Sequence, residues 1–208
     1  MFAPTLLLNA DARPVSFLPL STITWQDAIR LVYLNAATTL HNYQNWEVHS
    51  PSVTMQVPSV LLLNQHVRQV HRWIARDDHG PPRTLVFLRD RFICQYCNRQ
   101  FPRTQLTIDH VLPKKLGGRT RWTNVTTSCS VCNSQRGCDT RIQPLTQPFR
   151  PSHNLLIKHM QMFPLTIPDR AWSWYLNWQE DKLQVVDPRS KIAAECFDSG
   201  LRVSLQLT

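Results

Sequence analysis

Residues 94–133 read CQYCNRQFPRTQLTIDHVLPKKLGGRTRWTNVTTSCSVCN, and this stretch decides the fold. It begins with one Cys-x-x-Cys pair, Cys94 and Cys97, and ends with a second, Cys129 and Cys132. Cysteines can also form disulfides, but two such pairs in a chain that begins without a secretory signal favour a metal. Four thiolates suit a tetrahedral structural zinc ion. The spacing therefore predicts a zinc ion that closes a long loop between the two pairs.

The loop between the two cysteine pairs holds the polar residues that could take part in catalysis or bind a metal ion. Residues 106–108 have strand character, which places Asp109 and His110 at the end of a strand. A second strand follows, and a helix after the last cysteine would direct Asn133 and Arg136 to one side, because residues three apart share a helix face. Two strands and a helix, pinned by zinc, are predicted to bring four polar side chains together: Asp109, His110, Asn124 and Asn133.

These side chains suit the hydrolysis of a phosphodiester bond. Such a reaction needs an activated water, a cation near the phosphate and help for the departing oxygen. A histidine such as His110 has a pKa near neutrality and can act as general base, while a bound metal ion can act as Lewis acid. The same loop holds four basic residues that could bind phosphates on either side of the cleaved bond: Lys114, Lys115, Arg119 and Arg121.

In order and spacing, the motifs of residues 83–140 resemble those of the HNH endonucleases with a ββα-metal fold, and most closely their zinc-binding, four-cysteine branch. The resemblance is carried by the two cysteine pairs and, between and after them, by Asp109-His110, Pro113, Gly117-Gly118, Trp122, Asn124, Asn133 and Arg136. The N-terminal Leu-Leu-Leu-Asn and the later Ser-Pro-Ser-Val are similar to the leader of some small bacterial and phage HNH proteins.

The resemblance implies a role for each of five residues. Asp109 would bind a catalytic divalent ion, and His110 would take a proton from the attacking water. Asn124 would hold the loop and so fix the orientation of His110. Asn133 would be the second ligand, where the family often has a histidine, which makes the chain an HNN variant. Because an amide oxygen is a hard ligand, the ion expected is Mg²⁺ or Mn²⁺. Arg136 would contact the scissile phosphate or its neighbour.

Basic charge is confined to one third of the chain. Residues 81–150 hold 12 Lys or Arg and 3 Asp, which accounts for the whole formal net charge of +9. A solvated basic face would explain a simple run of lysines, but here the charges are interleaved with the candidate site. The pattern predicts a polyanionic partner. DNA is favoured because we find no Phe/Tyr-rich stacking signature of the RNA-binding modules; RNA stays an alternative, and the sequence does not indicate the oligomeric state.

The expected fold class is α+β, with the ββα-metal module at its centre. We divide the chain into an N-terminal region of short strands and a helix (1–80), the nuclease module (83–143) and a Trp-rich C-terminal extension (144–208) that either packs or binds DNA. Strands are predicted at 4–9, within 45–63, near 183–186 and near 203–207, and helices over 22–34 and 152–162. No apolar run is long enough to span a bilayer, so the expected location is the cytoplasm of a bacterial or phage-infected cell.

Two functions compete for this sequence. The first is a metal-dependent endonuclease that nicks or breaks DNA, for example in homing by a phage or mobile element. The alternative is a non-catalytic, zinc-stabilised module that binds nucleic acid. A mere binder would have no need of a general base and two metal-ligating groups in one loop. Asp109, His110 and Asn133 therefore favour the endonuclease.

Overall fold

The computed structural model describes residues 4–18, 20–68 and 80–190. These residues form two compact units of mixed helix and strand, as the predicted α+β class requires. The first unit contains the described residues up to 68 together with 163–190, and the second contains 80–162. No helix in the described ranges has the length and apolar character needed to cross a membrane.

A four-stranded sheet forms the first unit, in the order β2-β1-β4-β3. β1 (Pro4–Leu8) runs parallel to β4 (Thr54–Leu63), and β2 (Thr22–Thr24) and β3 (Ala37–His49) pair antiparallel at the edges. The apolar runs of β1 and β4 explain their central position, because these strands supply wholly buried residues of the sheet: Leu6, Leu8, Val60 and Leu61.

Two features of this sheet differ from the sequence prediction. β3 begins at Ala37, well before the expected strand at 45, and Pro58 lies inside β4 rather than between strands. Pro58 pairs with Asn42, where the register between β3 and β4 shifts. A register shift of this kind tolerates a residue that has no backbone N–H to donate.

Helix α1 (Trp25–Tyr33) packs on the sheet through Ala28, which contacts the buried Leu61. Its N-cap is Thr24, whose hydroxyl oxygen accepts a hydrogen bond from the backbone N–H of Asp27 at 3.2 Å. The predicted start at Thr22 is wrong by three residues, because Thr22–Thr24 forms the edge strand against β1.

The second unit contains the ββα arrangement expected from the sequence. Helix α2 (Arg83–Arg89) precedes β5 (Leu106–His110), which pairs antiparallel with β6 (Val125–Cys129). Helix α3 (Ser130–Arg136) follows β6 without a break, and α4 (His153–Met160) confirms the helix predicted over 152–162. His110 pairs with Val125, so the candidate base is the last residue of its strand.

A buried guanidinium joins the elements of the second unit. Arg89 forms an ion pair with Asp90, with Nε and Oδ1 2.8 Å apart, and both side chains are buried. The same guanidinium donates to the carbonyl oxygens of Trp122, Val125 and Phe149 at 2.8–3.0 Å. Trp122 is itself buried. This network holds α2 against the end of the loop that carries the candidate site.

The described part of the C-terminal segment after 162 returns to the first unit. β7 (Leu165–Ile167) pairs parallel with β8 (Leu183–Val185), and a short helix α5 (Ser173–Leu176) lies between them in the chain. Trp172 is wholly buried and donates from Nε1 to the carbonyl oxygen of Ser59 at 2.8 Å. Packing is thus the role of Trp172. The strand predicted near 203–207 lies outside the described residues.

Candidate functional site

Four cysteines come together at one end of the ββα module. The Sγ atoms of Cys94, Cys97, Cys129 and Cys132 all lie within 4.8 Å of one another. A zinc ion bound at about 2.3 Å from each sulfur would place the sulfurs roughly 3.8 Å apart, so small side-chain movements suffice to fit the ion. This is the one group of three or more Cys, His, Asp or Glu side chains with metal-site geometry in the described part of the chain. The four cysteines therefore fit the predicted structural zinc site.

The elements explain how the cluster forms. Cys129 is the last residue of β6 and Cys132 lies in the first turn of α3, where its backbone N–H points at the Cys129 sulfur from 3.4 Å. Cys94 and Cys97 lie in a tight turn in which the backbone N–H of Asn98 donates to the carbonyl oxygen of Cys94. Asn98 has a φ of 57°, a left-handed conformation that asparagine tolerates better than most residues.

Asp109 lies buried near the end of β5, and its two carboxylate oxygens have different surroundings. Oδ2 accepts a hydrogen bond from the Tyr96 hydroxyl at 2.6 Å and another from Nη1 of Arg136 at 2.8 Å. Oδ1 accepts none from the residues that the structure describes. One carboxylate oxygen is therefore fixed by donors, and the other is available to a cation.

His110 is half-buried and is held by a residue of the following loop. Its Nε2 lies 2.9 Å from the hydroxyl oxygen of Thr120, whereas its Nδ1 has no hydrogen-bond partner among the described residues. Burial and the charge of Lys114 lower the pKa of His110, and the Asp109 carboxylate opposes this only in part. A lowered pKa favours the neutral imidazole near pH 7, which is the form that can accept a proton.

The loop of residues 111–124 is closed by the side chain of Asn124. Its Oδ1 accepts from the backbone N–H of Leu112 at 2.8 Å, and its Nδ2 donates to the carbonyl oxygens of Leu112 and Arg119 at 3.1 and 2.9 Å. Gly118 makes this closure possible, because a Cβ at that position would lie 1.7 Å from the Leu112 carbonyl oxygen. The side chain of Asn124 thus lies across the loop that carries Thr120.

Arg136 occupies a position that differs from the expected phosphate contact. It is buried, and besides Asp109 its guanidinium donates to the carbonyl oxygens of His110, Val111 and Ile142 at 3.1, 2.6 and 3.1 Å. The helix spacing correctly directed Arg136 toward Asp109. However, a guanidinium with these acceptors and almost no exposed surface is a structural counter-ion of Asp109 and is not available to contact a DNA phosphate.

Asn133 lies one helical turn before Arg136, on α3. Residues three apart share a helix face, so Asn133 lies on the face of α3 from which Arg136 reaches Asp109. The side chain of Asn133 is half-buried and makes no hydrogen bond within the described ranges. Its amide oxygen is therefore available as a hard oxygen donor of the kind that suits Mg²⁺ or Mn²⁺.

The remaining predicted residues lie on the surface of the loop. Lys114, Lys115, Arg119 and Arg121 are all exposed. Within residues 80–162 there are 13 Lys or Arg against 3 Asp, and only Arg89 and Arg136 of these cations are buried. The exposed face of this unit is therefore strongly positive around the candidate site.

Two residues of the site were not predicted from the sequence. Tyr96 lies between the cysteines of the first pair, where the metal pattern drew attention to its neighbours alone. Burial, and then the hydrogen bond to Asp109, raise the pKa of Tyr96, so its hydroxyl stays protonated and donates. Thr120 lies among basic loop residues, and nothing in its local sequence marks it as a partner of His110.

Comparison with known proteins identifies two segments. Residues 94–144 match the HNH endonuclease family, and residues 5–71 match the HNH endonuclease-associated N-terminal domain. The first match spans both cysteine pairs and every residue predicted for the site. A search of the curated proteins found no match to the chain.

Proposed function

We propose that this member of the HNH endonuclease family, of the zinc-binding branch, hydrolyses phosphodiester bonds in DNA with one divalent ion at Asp109 and His110 as general base. One observation carries the proposal. The buried carboxylate of Asp109 has one oxygen that accepts no hydrogen bond from the described residues, and the half-buried His110, with a lowered pKa and with Nε2 2.9 Å from the Thr120 hydroxyl, follows it at the end of β5. A module that only bound nucleic acid would gain nothing from these two groups.

The hydrogen bond to Thr120 decides which nitrogen of His110 reacts. When the Thr120 oxygen accepts from Nε2–H, the lone pair of the neutral ring is on Nδ1, which has no partner in the described ranges. Nδ1 then takes the proton from the attacking water. Asn124 binds the backbone of Leu112 and Arg119 and so holds the loop from which Thr120 reaches His110.

Oδ1 of Asp109 and the amide oxygen of Asn133 would hold the divalent ion. The ion, when bound, offsets negative charge on the phosphate and on the departing oxygen. Arg136 forms an ion pair with the neighbouring Oδ2 and holds it in place. The two protein ligands leave room for water and phosphate oxygens, as Mg²⁺ sites on phosphate substrates usually do.

The exposed cations of the loop would hold the substrate on either side of the site. Lys114, Lys115, Arg119 and Arg121 lie within eleven residues of His110 in the chain and face solvent. Contacts of this kind bind the phosphate backbone and carry no sequence information by themselves. The proposed substrate is DNA held through its phosphates, and RNA with the same backbone charge is the competing substrate.

The proposal is tested with zinc-loaded protein freed of other divalent ions by dialysis, with its zinc content measured. We expect supercoiled plasmid to be converted to nicked or linear form on addition of Mg²⁺ or Mn²⁺, and to stay intact without them. Cleavage of labelled RNA but not of plasmid would redirect the proposal to a ribonuclease. Zinc-loaded protein that binds DNA yet cleaves neither substrate with either ion would support the non-catalytic binding module instead.

A further inference from the structure

Tyr96 joins the two metal-related parts of the module. It stands between Cys94 and Cys97 in the zinc-binding turn, yet its hydroxyl donates to Oδ2 of Asp109, thirteen residues further along the chain. Its ring also packs under the guanidinium of Arg136, with the guanidinium carbon 5.5 Å from the ring centroid. The zinc-binding turn is therefore connected to the candidate catalytic carboxylate through one side chain.

The two donors to Asp109 come from different elements. Tyr96 approaches Oδ2 from the first cysteine pair, and Arg136 approaches the same oxygen from α3. A carboxylate can rotate about its Cβ–Cγ bond and exchange its two oxygens. Two donors that converge on one oxygen position hold the plane of the carboxylate, because a partial rotation would lengthen the hydrogen bonds to the Tyr96 hydroxyl and to the buried Arg136 guanidinium.

We propose that Tyr96 is a positioning residue for the catalytic ion: by holding Oδ2 it presents Oδ1 of Asp109 to the ion, and it transmits the order of the zinc site to the catalytic site. The inference rests on the proposed function for the identity of the ion's ligand. It adds a residue that acts through Asp109 and touches neither ion nor substrate.

The size of the effect follows from other metal sites. Side chains that orient a metal ligand by a hydrogen bond usually change metal affinity or activity by about 10- to 100-fold when they are removed. Tyr96→Phe deletes one oxygen atom and keeps the ring under Arg136. We therefore expect Mn²⁺ to bind the variant at least about tenfold more weakly, with the zinc content unchanged.

Direct measurement of Mn²⁺ binding tests this inference without relying on catalysis. Zinc-loaded, full-length protein is titrated with Mn²⁺, and the free ion is followed by its electron paramagnetic resonance signal. Four proteins are compared: wild type, Tyr96→Phe, Asp109→Asn and, as a matched hydroxyl deletion, Tyr33→Phe at a tyrosine that is 79% exposed. Cleavage of plasmid as a function of Mn²⁺ concentration is recorded in parallel.

We expect Asp109→Asn to lose the site, Tyr96→Phe to weaken it at least about tenfold, and Tyr33→Phe to match wild type. Cleavage by Tyr96→Phe should recover toward the wild-type rate at saturating Mn²⁺. If Asp109→Asn loses the site while Tyr96→Phe binds as wild type does, the inference is overturned and the proposed function stands. If Asp109→Asn binds Mn²⁺ normally, the proposed ion site is wrong and the inference falls with it. Loss of zinc or of folding in Tyr96→Phe would show a purely structural role and also overturn it.

Discussion

Single side chains decide the chemistry of this site, and the Thr120 hydroxyl is the simplest to test. Replacing Thr120 by Val keeps the shape of the side chain but removes the oxygen near Nε2 of His110. Because general-base catalysis contributes about 10²- to 10⁴-fold, we expect a misoriented imidazole to lower the cleavage rate at least about tenfold. Plasmid cleavage under single-turnover conditions measures the loss.

Thr120→Ser is the control for this change, since it retains the hydroxyl and should keep most of the activity. DNA affinity, measured by fluorescence anisotropy without divalent ions, should be equal in all three proteins. If Thr120→Val and Thr120→Ser cleave plasmid equally well, the hydroxyl does not orient His110.

Substitution of Arg136 distinguishes a structural role for this residue from a contact with a DNA phosphate. Its ion pair with Asp109 has almost no exposed surface on either side chain. Removing one partner of such a pair leaves a buried charge and typically costs about 3–5 kcal/mol. We therefore expect Arg136→Met to lower the free energy of unfolding by about that amount, measured by urea denaturation of zinc-loaded protein.

The exposed Arg141, which pairs with Asp139 at the surface, supplies the control for Arg136. Arg141→Met should leave the free energy of unfolding almost unchanged, as exposed pairs contribute little. Were Arg136→Met as stable as wild type but weaker in binding DNA, the phosphate contact expected from the sequence would be right after all.

The sequence predicted which types of residue form the candidate site, but it did not predict all of the hydrogen bonds that these residues make. The strand character of residues 106–108 predicted a strand end at Asp109 and His110, whereas the role of Asn124 across the loop was implied by the resemblance to the HNH endonucleases. Tyr96 and Thr120 could not be found this way, because their hydroxyls act on residues 13 and 10 positions away across a folded loop. Burial of Arg136 likewise depends on the carbonyl oxygens around it, which no local pattern reveals.

Among the helices and strands, the four-cysteine cluster joins three segments of the second unit at a site that could hold zinc. β6 and α3 contribute Cys129 and Cys132, and the turn after α2 contributes the other two cysteines. Structural zinc contributes on the order of 10 kcal/mol to folding, while a typical domain is stable by only about 5–15 kcal/mol. Cys97→Ser is therefore expected to unfold the second unit and abolish cleavage, as seen by circular dichroism and zinc content.

Cys138→Ser provides the matched control, because Cys138 is an exposed free thiol outside the cluster. It should retain zinc, folding and activity. A Cys97→Ser protein that remains folded and active without zinc would show that the cluster is dispensable.

Local sequence patterns predicted which helices and strands are present better than they predicted the residues at which these elements begin. The apolar run of β1 and the helical spacing of α1 are local features and appear as predicted. The start of β3 and the Pro58 position depend on strand pairing with β4, which supplies a register shift for Pro58. Strand pairing is a long-range property, so these details required the structure.

Across the chain as a whole, charge is the property that the sequence predicted most directly. The second unit carries the excess of Lys and Arg, and four of these residues are exposed on the loop that follows His110. The path of the chain could not be predicted from the sequence. Residues 163–190 return to the first unit through long-range contacts such as that of Trp172 with Ser59.

Salt dependence measures the contribution of the basic loop to DNA binding. Each phosphate contact that is removed should reduce the slope of log affinity against log salt by about 1. We expect Lys114→Ala and Arg119→Ala each to reduce the slope by about this amount, and the double variant by about 2. Arg30→Ala, an exposed cation on α1, serves as the charge-matched control and should leave the slope unchanged.

The most direct test of His110 as general base is single-turnover cleavage of supercoiled plasmid by wild type and His110→Ala, with Mg²⁺ or Mn²⁺. His49→Ala, at an exposed histidine of β3, is the matched control. We expect His110→Ala to cleave about 10²- to 10⁴-fold more slowly than wild type, with zinc content and DNA affinity equal to wild type. A His110→Ala protein that cleaves as fast as wild type would contradict this expectation.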